Sequence, residues 1–391
     1  MFCNYILRVT YAELTDTVIL IFLSVLILLL VFGQNWRSWY ARRQIRKALR
    51  KIKLWKKYGV SIIKKEIAPY LPSSVTEIEA IQFIEKMIEF FVINPTKLDP
   101  PIFPKIRFLV SQKNTRYKQL IEEFLPKISE TKLNTVMSLI QATSELNEMF
   151  KEVQHDLTLG KKIRSAFYVQ QTASKITQVM LNAQSYRKAL DTFRINKPIG
   201  DSIGPMSIKA FVKDRFEDPQ SVYSQYEDVG HGYISYSLKY KGRECLCLRA
   251  KGPASNVGNP GAALNSVFEK LSKQDIDPKL IVTIDAFKKL EGEETGIVNQ
   301  GIGALTGGEG EIMIDKFQIE TIALQHEPQI PIESITCKES LDDAVSPINV
   351  EIRNSIPVIL RVLKKIVRTQ SQKGDKVIIM GIGNALGVKN A

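Results

Sequence analysis

Two aspartates in glycine-bearing turns are the residues best placed to do chemistry. Asp201 lies in IGDSIGPMSIKAF (199–211), where Gly200 and Gly204 bracket the acid and Pro205 opens a helix. Asp285 ends the apolar run LIVTIDAF (280–287), and a charged, glycine-containing loop follows. A carboxylate at the exit of a central strand is a favoured catalytic position, because burial shifts its proton affinity while the loop admits substrate. Each acid also has a structural reading. Asp201 or Ser202 fits a helix N-cap, and Asp285 fits a cap or an ion pair. Glu291, Glu293 and Glu294 follow closely and read as solvated.

Two glycine-rich segments are candidates to complete a site. GIGALTGGEGE (301–311) has five glycines, among them Gly307 and Gly308. Such backbone approaches a ligand closely and presents N–H groups to an oxyanion. It lacks the Lys-Ser/Thr end of a phosphate-binding loop, and a lid or hairpin is its other reading. VIIMGIGNALGV (377–388) is an apolar strand running into Gly381, Gly383 and Asn384. It looks like the start of a dinucleotide fingerprint, but no helix follows to receive a phosphate, so no cofactor is expected.

If Asp201 and Asp285 share a cleft, their proton affinities split. One then serves as general base toward water and the other as general acid toward a leaving amine. A metal version would use Asp201, Asp285 and His326. It carries less weight, because no second acid is obvious beside Asp201 and the three His (His155, His231, His326) are scattered. Cys245 and Cys247 alternate in a strand-like run without a second Cys pair, which suits core packing.

The elements that must position these residues fall into blocks. The chain has 391 residues, enough for two or three domains. Residues 60–195 read as helices, at 78–93, 116–128, 134–157 and 161–193, with a Pro-rich connector at 94–104. From about 196 the texture alternates. Strands are expected at 232–240, 245–250, 279–287, 316–325 and 376–383, and helices at 207–216, 261–274 and 355–371. The expected fold class is α/β: an N-terminal transmembrane helix, an all-α middle domain and a C-terminal three-layer α/β/α domain. The expected domains are 1–34, 35–59, 60–195 and 196–391.

The net charge of +13 is concentrated. Residues 35–57 hold ten Lys/Arg and no acid, which excludes a diffuse nucleic-acid-binding surface. Just upstream, VILIFLSVLILLLVF (18–32) extends through Leu14–Thr17 and Gly33 to about 20 apolar-rich residues, the length of a membrane-spanning helix. The cations following it place the N-terminus outside and the bulk of the protein in the cytoplasm. A buried core helix is the competing reading. All three Trp lie in the basic segment, which reads as an amphipathic helix on an anionic inner leaflet. Ile45, Leu49, Ile52 and Trp55 form its apolar stripe, and Trp36, Trp39, Arg42, Arg43 and Trp55 are its membrane-surface residues. An RNA-binding arm is a weaker reading, and no nucleic-acid partner is expected.

The four motifs together resemble the superfamily of the spore germination endopeptidase and, more distantly, the hydrogenase maturation endopeptidases. The matching residues are Gly381, Gly383 and Asn384; Asp201, Gly204 and Pro205; Asp285 and Ala286; and Gly307, Gly308 and Gly310. The resemblance implies a phosphorylase/hydrolase-like fold, a catalytic pair Asp201 and Asp285, and a peptide or protein substrate. The full chain also resembles an archaeal membrane-anchored family of unknown function. One departure is informative. In those enzymes the GxGN strand directly precedes the Asp-x-x-Gly-Pro loop, whereas here it comes last. The domain is therefore expected to be circularly permuted, with Asn384 beside Asp201. The rival reading is a non-catalytic membrane-tethered scaffold or ligand sensor.

Overall fold

The computed structural model describes residues 2–90, 112, 115–216, 226–304 and 311–390, with side chains described except at 2–17, 27–32, 34–35, 215–216 and 311–314. The described helices of the first half are α1 (Phe2–Ile67), α2 (Glu77–Ile88), α3 over 115–124, α4 (Glu130–Lys162) and α5 (Ala166–Ile195). The helix expected from residue 161 starts later. Lys161 and Lys162 complete α4, and Arg164 takes φ 51° in the turn before α5. The connector at 94–104 lies outside the described residues.

The chain divides into two compact units. One comprises Met1–Trp55 and Leu146–Ala183, the other Lys56–Glu145 and Gln184–Ala391. In the first, Ala41, Ile45 and Ala48 form one core with Val153, Leu157, Val169 and Ile176. Ile45 and Ile52 are 0% exposed. The expected apolar stripe is therefore internal packing at Ile45, Ala48 and Leu49, where helices of the same unit cover it. Arg42 and Trp55 are half-buried with it, whereas Arg43, Trp36 and Trp39 face outward. The Trp36 and Trp39 rings lie 5.4 Å apart, and the Arg43 guanidinium sits 5.5 Å from the Trp39 ring.

Among the described residues, no helix is long and apolar enough to cross a membrane. The expected span runs through 27–32, whose side chains lie outside the described ones. Val18–Leu23, Val25 and Leu26 are all exposed, on every side of α1. The Ser24 hydroxyl donates to the Leu20 carbonyl at 2.7 Å.

The second unit holds a seven-stranded mixed sheet. Its strands are β1 (Glu227–Gly230), β2 (Tyr233–Tyr240), β3 (Arg243–Ala250), β4 (Pro278–Lys288), β5 (Val298–Ile302), β6 (Ile332–Glu339) and β7 (Lys376–Gly381). The order is β1-β2-β3-β7-β4-β6-β5. Strands β3, β7, β4 and β6 run parallel, and the outer pairs are antiparallel. β7 thus lies between two strands made well before it.

Helices α6 (Ile203–Phe216) and α10 (Val350–Thr369) cover one face, around Val282, Ile284, Ile335, Val377 and Ile379. Helices α7 (Pro260–Ser272) and α8 (Glu311–Gln325) cover the other, around Leu248, Ile281, Ile378 and Met380. Cys245 and Cys247 are buried in the first of these cores. Burial pushes the Cys245 thiol up to about 12 and the Cys247 thiol well above its ordinary value.

One element differs in type from expectation. Residues 316–325 belong to helix α8, and the strand at this point of the fold is β6. In 316–325 the buried apolar residues Ile319 and Ala323 stand four apart while Phe317 and Leu324 face outward, which is helical spacing.

Candidate functional site

The parallel strands deliver their C-terminal ends to one pole of the sheet, where open α/β sheets place their sites. β4 delivers Asp285 there, β6 delivers Glu339, and β7 delivers Gly381 followed by the Ile382–Asn384 turn. Facing them is the short turn Gly200–Ser202 that leads into α6. The Pro198–Gly200 backbone is held by the loop before α10: Gly200 N–H donates to the Ser346 carbonyl, and Ile348 N–H to the Pro198 carbonyl.

Asp201 and Asn384 meet directly. The Asn384 N–H lies 2.9 Å from Asp201 Oδ2 and 3.0 Å from the Asp201 carbonyl. One step away, Ile382 N–H donates to the Ile284 carbonyl at 2.9 Å, so the same turn is fixed to the residue preceding Asp285. Asn384 is therefore beside Asp201, as expected from the sequence.

The glycines of the two turns explain how close this is. A Cβ on Gly204 would overlap the Ile382 carbonyl and stand 2.6 Å from the Ile284 carbonyl oxygen. A Cβ on Gly381 would overlap the Gly204 carbonyl, and one on Gly383 the Asp201 carbonyl. Gly383 also has φ +116°, a conformation that side chains disfavour. Pro205 is buried in the first turn of α6.

Ser202 takes the local capping role. Its hydroxyl accepts the Ile199 N–H at 3.2 Å and reaches the Leu386 carbonyl at 3.4 Å. The Asp201 carboxyl is thereby left to the Asn384 turn. Asn384 is itself held: its side-chain amide donates to Ser255 Oγ at 3.0 Å and accepts from the Asn256 and Leu386 N–H groups. Ser138 of α4 reaches the same Ser255 hydroxyl at 2.7 Å, so the helical part of this unit buttresses the site. The segment after the turn is fastened by Arg249, which is 0% exposed and donates to the Lys389 carbonyl, the Ala250 carbonyl and the Tyr236 hydroxyl.

Three carboxyls therefore gather at this pole. Asp285 is 2% exposed and accepts the N–H of Ala286 at 2.8 Å. Burial pushes the Asp201 carboxyl up to about 7, against the Asn384 N–H, which holds it down. Glu339 escaped sequence reasoning. It is 3% exposed, and burial together with the charges of Asp201, Asp285 and Asp343 pushes its carboxyl up to about 10. A Cβ on Gly200 would stand 2.5 Å from Glu339 Oε2, which makes Gly200 the window through which Glu339 meets the Asp201 turn.

Tyr233 was missed too. Its ring is 0% exposed and its hydroxyl has no hydrogen-bond partner among the described residues. Burial raises its pKa well above the ordinary value, and the charges of Asp315, Asp285 and Asp201 push in the same direction. The signal for Glu339 was its place at the end of a strand. For Tyr233 only its row across the sheet, opposite Ala250 of β3, could have found it.

Of the other expected contributors, the 301–311 loop is described only at its start and His326 is elsewhere. The described start of the 301–311 segment lies at the other pole: Gly301 pairs with Ser334, and Gly303 N–H donates to the Ile332 carbonyl, where β6 begins. Gly307, Gly308 and Gly310 lie outside the described residues. His326 Nε2 is 3.2 Å from Asp277 Oδ1, just before β4 begins. It is at the opposite end of that strand from Asp285, so the trio Asp201, Asp285 and His326 is not assembled. Among the described residues no group of three or more His, Cys, Asp or Glu is arranged to hold a metal ion.

Two clefts open away from the carboxyls. One of about 460 Å³ runs along α4 and α5 and includes His155, Asp156 and Lys175. One of about 210 Å³ lies at the start of β7, around Glu244 and Lys376.

Residues 19–196 match the family described as "Protein of unknown function (DUF1512) N-terminal domain", and residues 199–389 match "Domain of unknown function (DUF1512) C-terminal". No curated protein and no solved structure matches the chain.

Proposed function

The chain belongs to the DUF1512 family, and we propose that it is a hydrolase of peptide or other amide bonds, tethered to a membrane with its bulk on the cytoplasmic side. The observation that carries the catalytic part is the seating of the Asn384 turn on Asp201 at the strand end that presents Asp285. Both acids lie at the same pole of the sheet, and both act on the carboxyl of Glu339.

In this reading Asp201 is the general acid. A carboxyl pushed to about 7 holds a proton near neutrality and can deliver it to a leaving amine. Asp285 takes a proton from the attacking water. The Tyr233 hydroxyl, which both aspartates influence, supplies a donor to the developing oxyanion. The contact between the GxGN turn and the Asp-x-x-Gly-Pro loop supports kinship with the endopeptidase superfamily named above, although the order of the two motifs departs from it.

For the tether, the support is the apolar run 18–32 followed by ten cations, together with apolar side chains exposed all round α1 from Val18 to Leu26. The outward cations of 37–53, with Trp36 and Trp39, suit an anionic lipid surface.

Asp285→Asn tests the catalytic part. The full chain in detergent, offered unstructured polypeptide substrates, is expected to lose at least about 100-fold in cleavage rate. Its melting temperature is expected to hold, since the substitution removes a buried charge from among like charges. The near-complete burial of Asp285 favours a second reading, a non-catalytic tethered scaffold or ligand sensor. Absence of cleavage by the wild type with every substrate, and a large fall in melting temperature on Asp285→Asn, favour that one.

A further inference from the structure

Glu339 stands apart from the other acids around it in what it receives. Asp201 takes the Asn384 N–H, and Asp285 takes the Ala286 N–H. Asp343, in the short helix α9 (Leu341–Val345), takes the Ser340 hydroxyl and N–H, the Thr295 hydroxyl and the Asn349 amide. Glu339 Oε2 is buried and has no partner among the described residues. Donors stabilise ionised carboxyls, so the acid without one holds its proton to the highest pH.

The nearby cations do not change this. Lys338, on the same strand, pairs with Glu293 at 3.1 Å and lies over the Phe287 ring, and Lys289 bonds the Glu293 carbonyl at 3.2 Å. The charged groups that act on Glu339 are Asp201 from the turn before α6, Asp285 from β4 and Asp343 from α9, all negative. From α10, Ser355 bonds Cys337 instead.

We propose that Glu339 is the third acid of this site, a positioning residue that keeps a proton beside Asp201 and Asp285 and leaves the proton exchange with substrate to those two. Gly200 serves this arrangement, since any side chain there would displace either Glu339 or the Asp343 backbone. The inference rests on the hydrolase reading for its purpose, but its test needs no turnover.

The test uses the full chain in detergent micelles. Infrared spectra of the wild type between about pH 6 and 9 are expected to show a protonated carboxylic C=O stretch that is lost in Glu339→Gln. In parallel, ¹⁵N-asparagine labelling follows the Asn384 amide, whose bond to Asp201 reports that acid's titration. If Glu339 is neutral, Gln replaces a neutral group and the Asp201 midpoint stays within about 0.3 pH unit. If Glu339 is ionised, removing its charge lowers that midpoint by about one unit or more, and the proposal is overturned. A wild-type spectrum without a protonated carboxyl above about pH 8 overturns it equally, whether or not the variant folds. A failed cleavage assay with a positive result here would remove the hydrolase reading and leave the proton assignment standing.

Discussion

Two glycine-bearing turns leave neighbouring parts of one sheet at opposite poles. The turn after β7 folds onto Asp201 and fixes the chain next to Asp285. Gly301 to Gly303, at the end of β5, lie where β6 begins, because β5 runs antiparallel to the strands that carry the site. In sequence both are candidates to present backbone N–H groups to an oxyanion.

Substitutions at the two turns should separate them sharply. Gly383→Ala puts a methyl group into the Asp201 carbonyl at a φ that alanine disfavours. A loss of about 4 kcal/mol or more is expected, read as a collapse of the urea midpoint. A stable Gly383→Ala chain with native melting behaviour would break the comparison.

Next in size is Glu339→Gln, read as stability against pH. A carboxyl raised to about 10 when folded contributes its full stability only below its ordinary range near 4.5. That contribution is lost progressively as pH rises toward 10, because folding must take up a proton. Asp201, raised to about 7, tilts the wild type in the same direction. The Gln variant should therefore gain on the wild type as pH rises, by about 3 kcal/mol at pH 7. Parallel curves across that range would show that Glu339 carries no proton.

The smallest effects belong to the far pole. Gly301→Ala meets only the Ser334 hydroxyl, at 3.0 Å, and should cost no more than about 1 kcal/mol. His326→Ala removes the contact of its Nε2 with the exposed Asp277 and should cost a similar amount or less, with Asp285-dependent cleavage unchanged. A loss of cleavage in either variant would bring that pole back into the site.

Much of the sheet was legible. β2, β3, β4 and β7 are short apolar or alternating runs bounded by turn residues, and that pattern survives folding. The meeting of Asp201 with the Asn384 turn was legible too, through the resemblance to the endopeptidase superfamily and the permuted order of its motifs. β6 was not. Its sequence, IESITCKE, holds only Ile332, Ile335 and Cys337 as apolar residues, so its signal as a strand is weak. It is a strand because β4 and β5 pair with it from either side, a tertiary effect that overrides local pattern.

Residues 316–325 took its place in the sequence reading, since a short apolar run does not distinguish strand from helix. Missing β6 also hid Glu339, its last residue. The stripe through Ile45 and Ile52 shows the same limit from another side. Amphipathic spacing reveals that a helix has an apolar face, but not whether lipid or protein covers it.

The position of β7 has a consequence for biosynthesis. Until that strand is made, β1-β2-β3 and β4-β6-β5 are separate half-sheets, each with an open edge ready to pair with another chain. The nascent polypeptide must hold them apart and unaggregated until a late segment slides between them. The acidic centre then comes into being in the same event that completes the sheet.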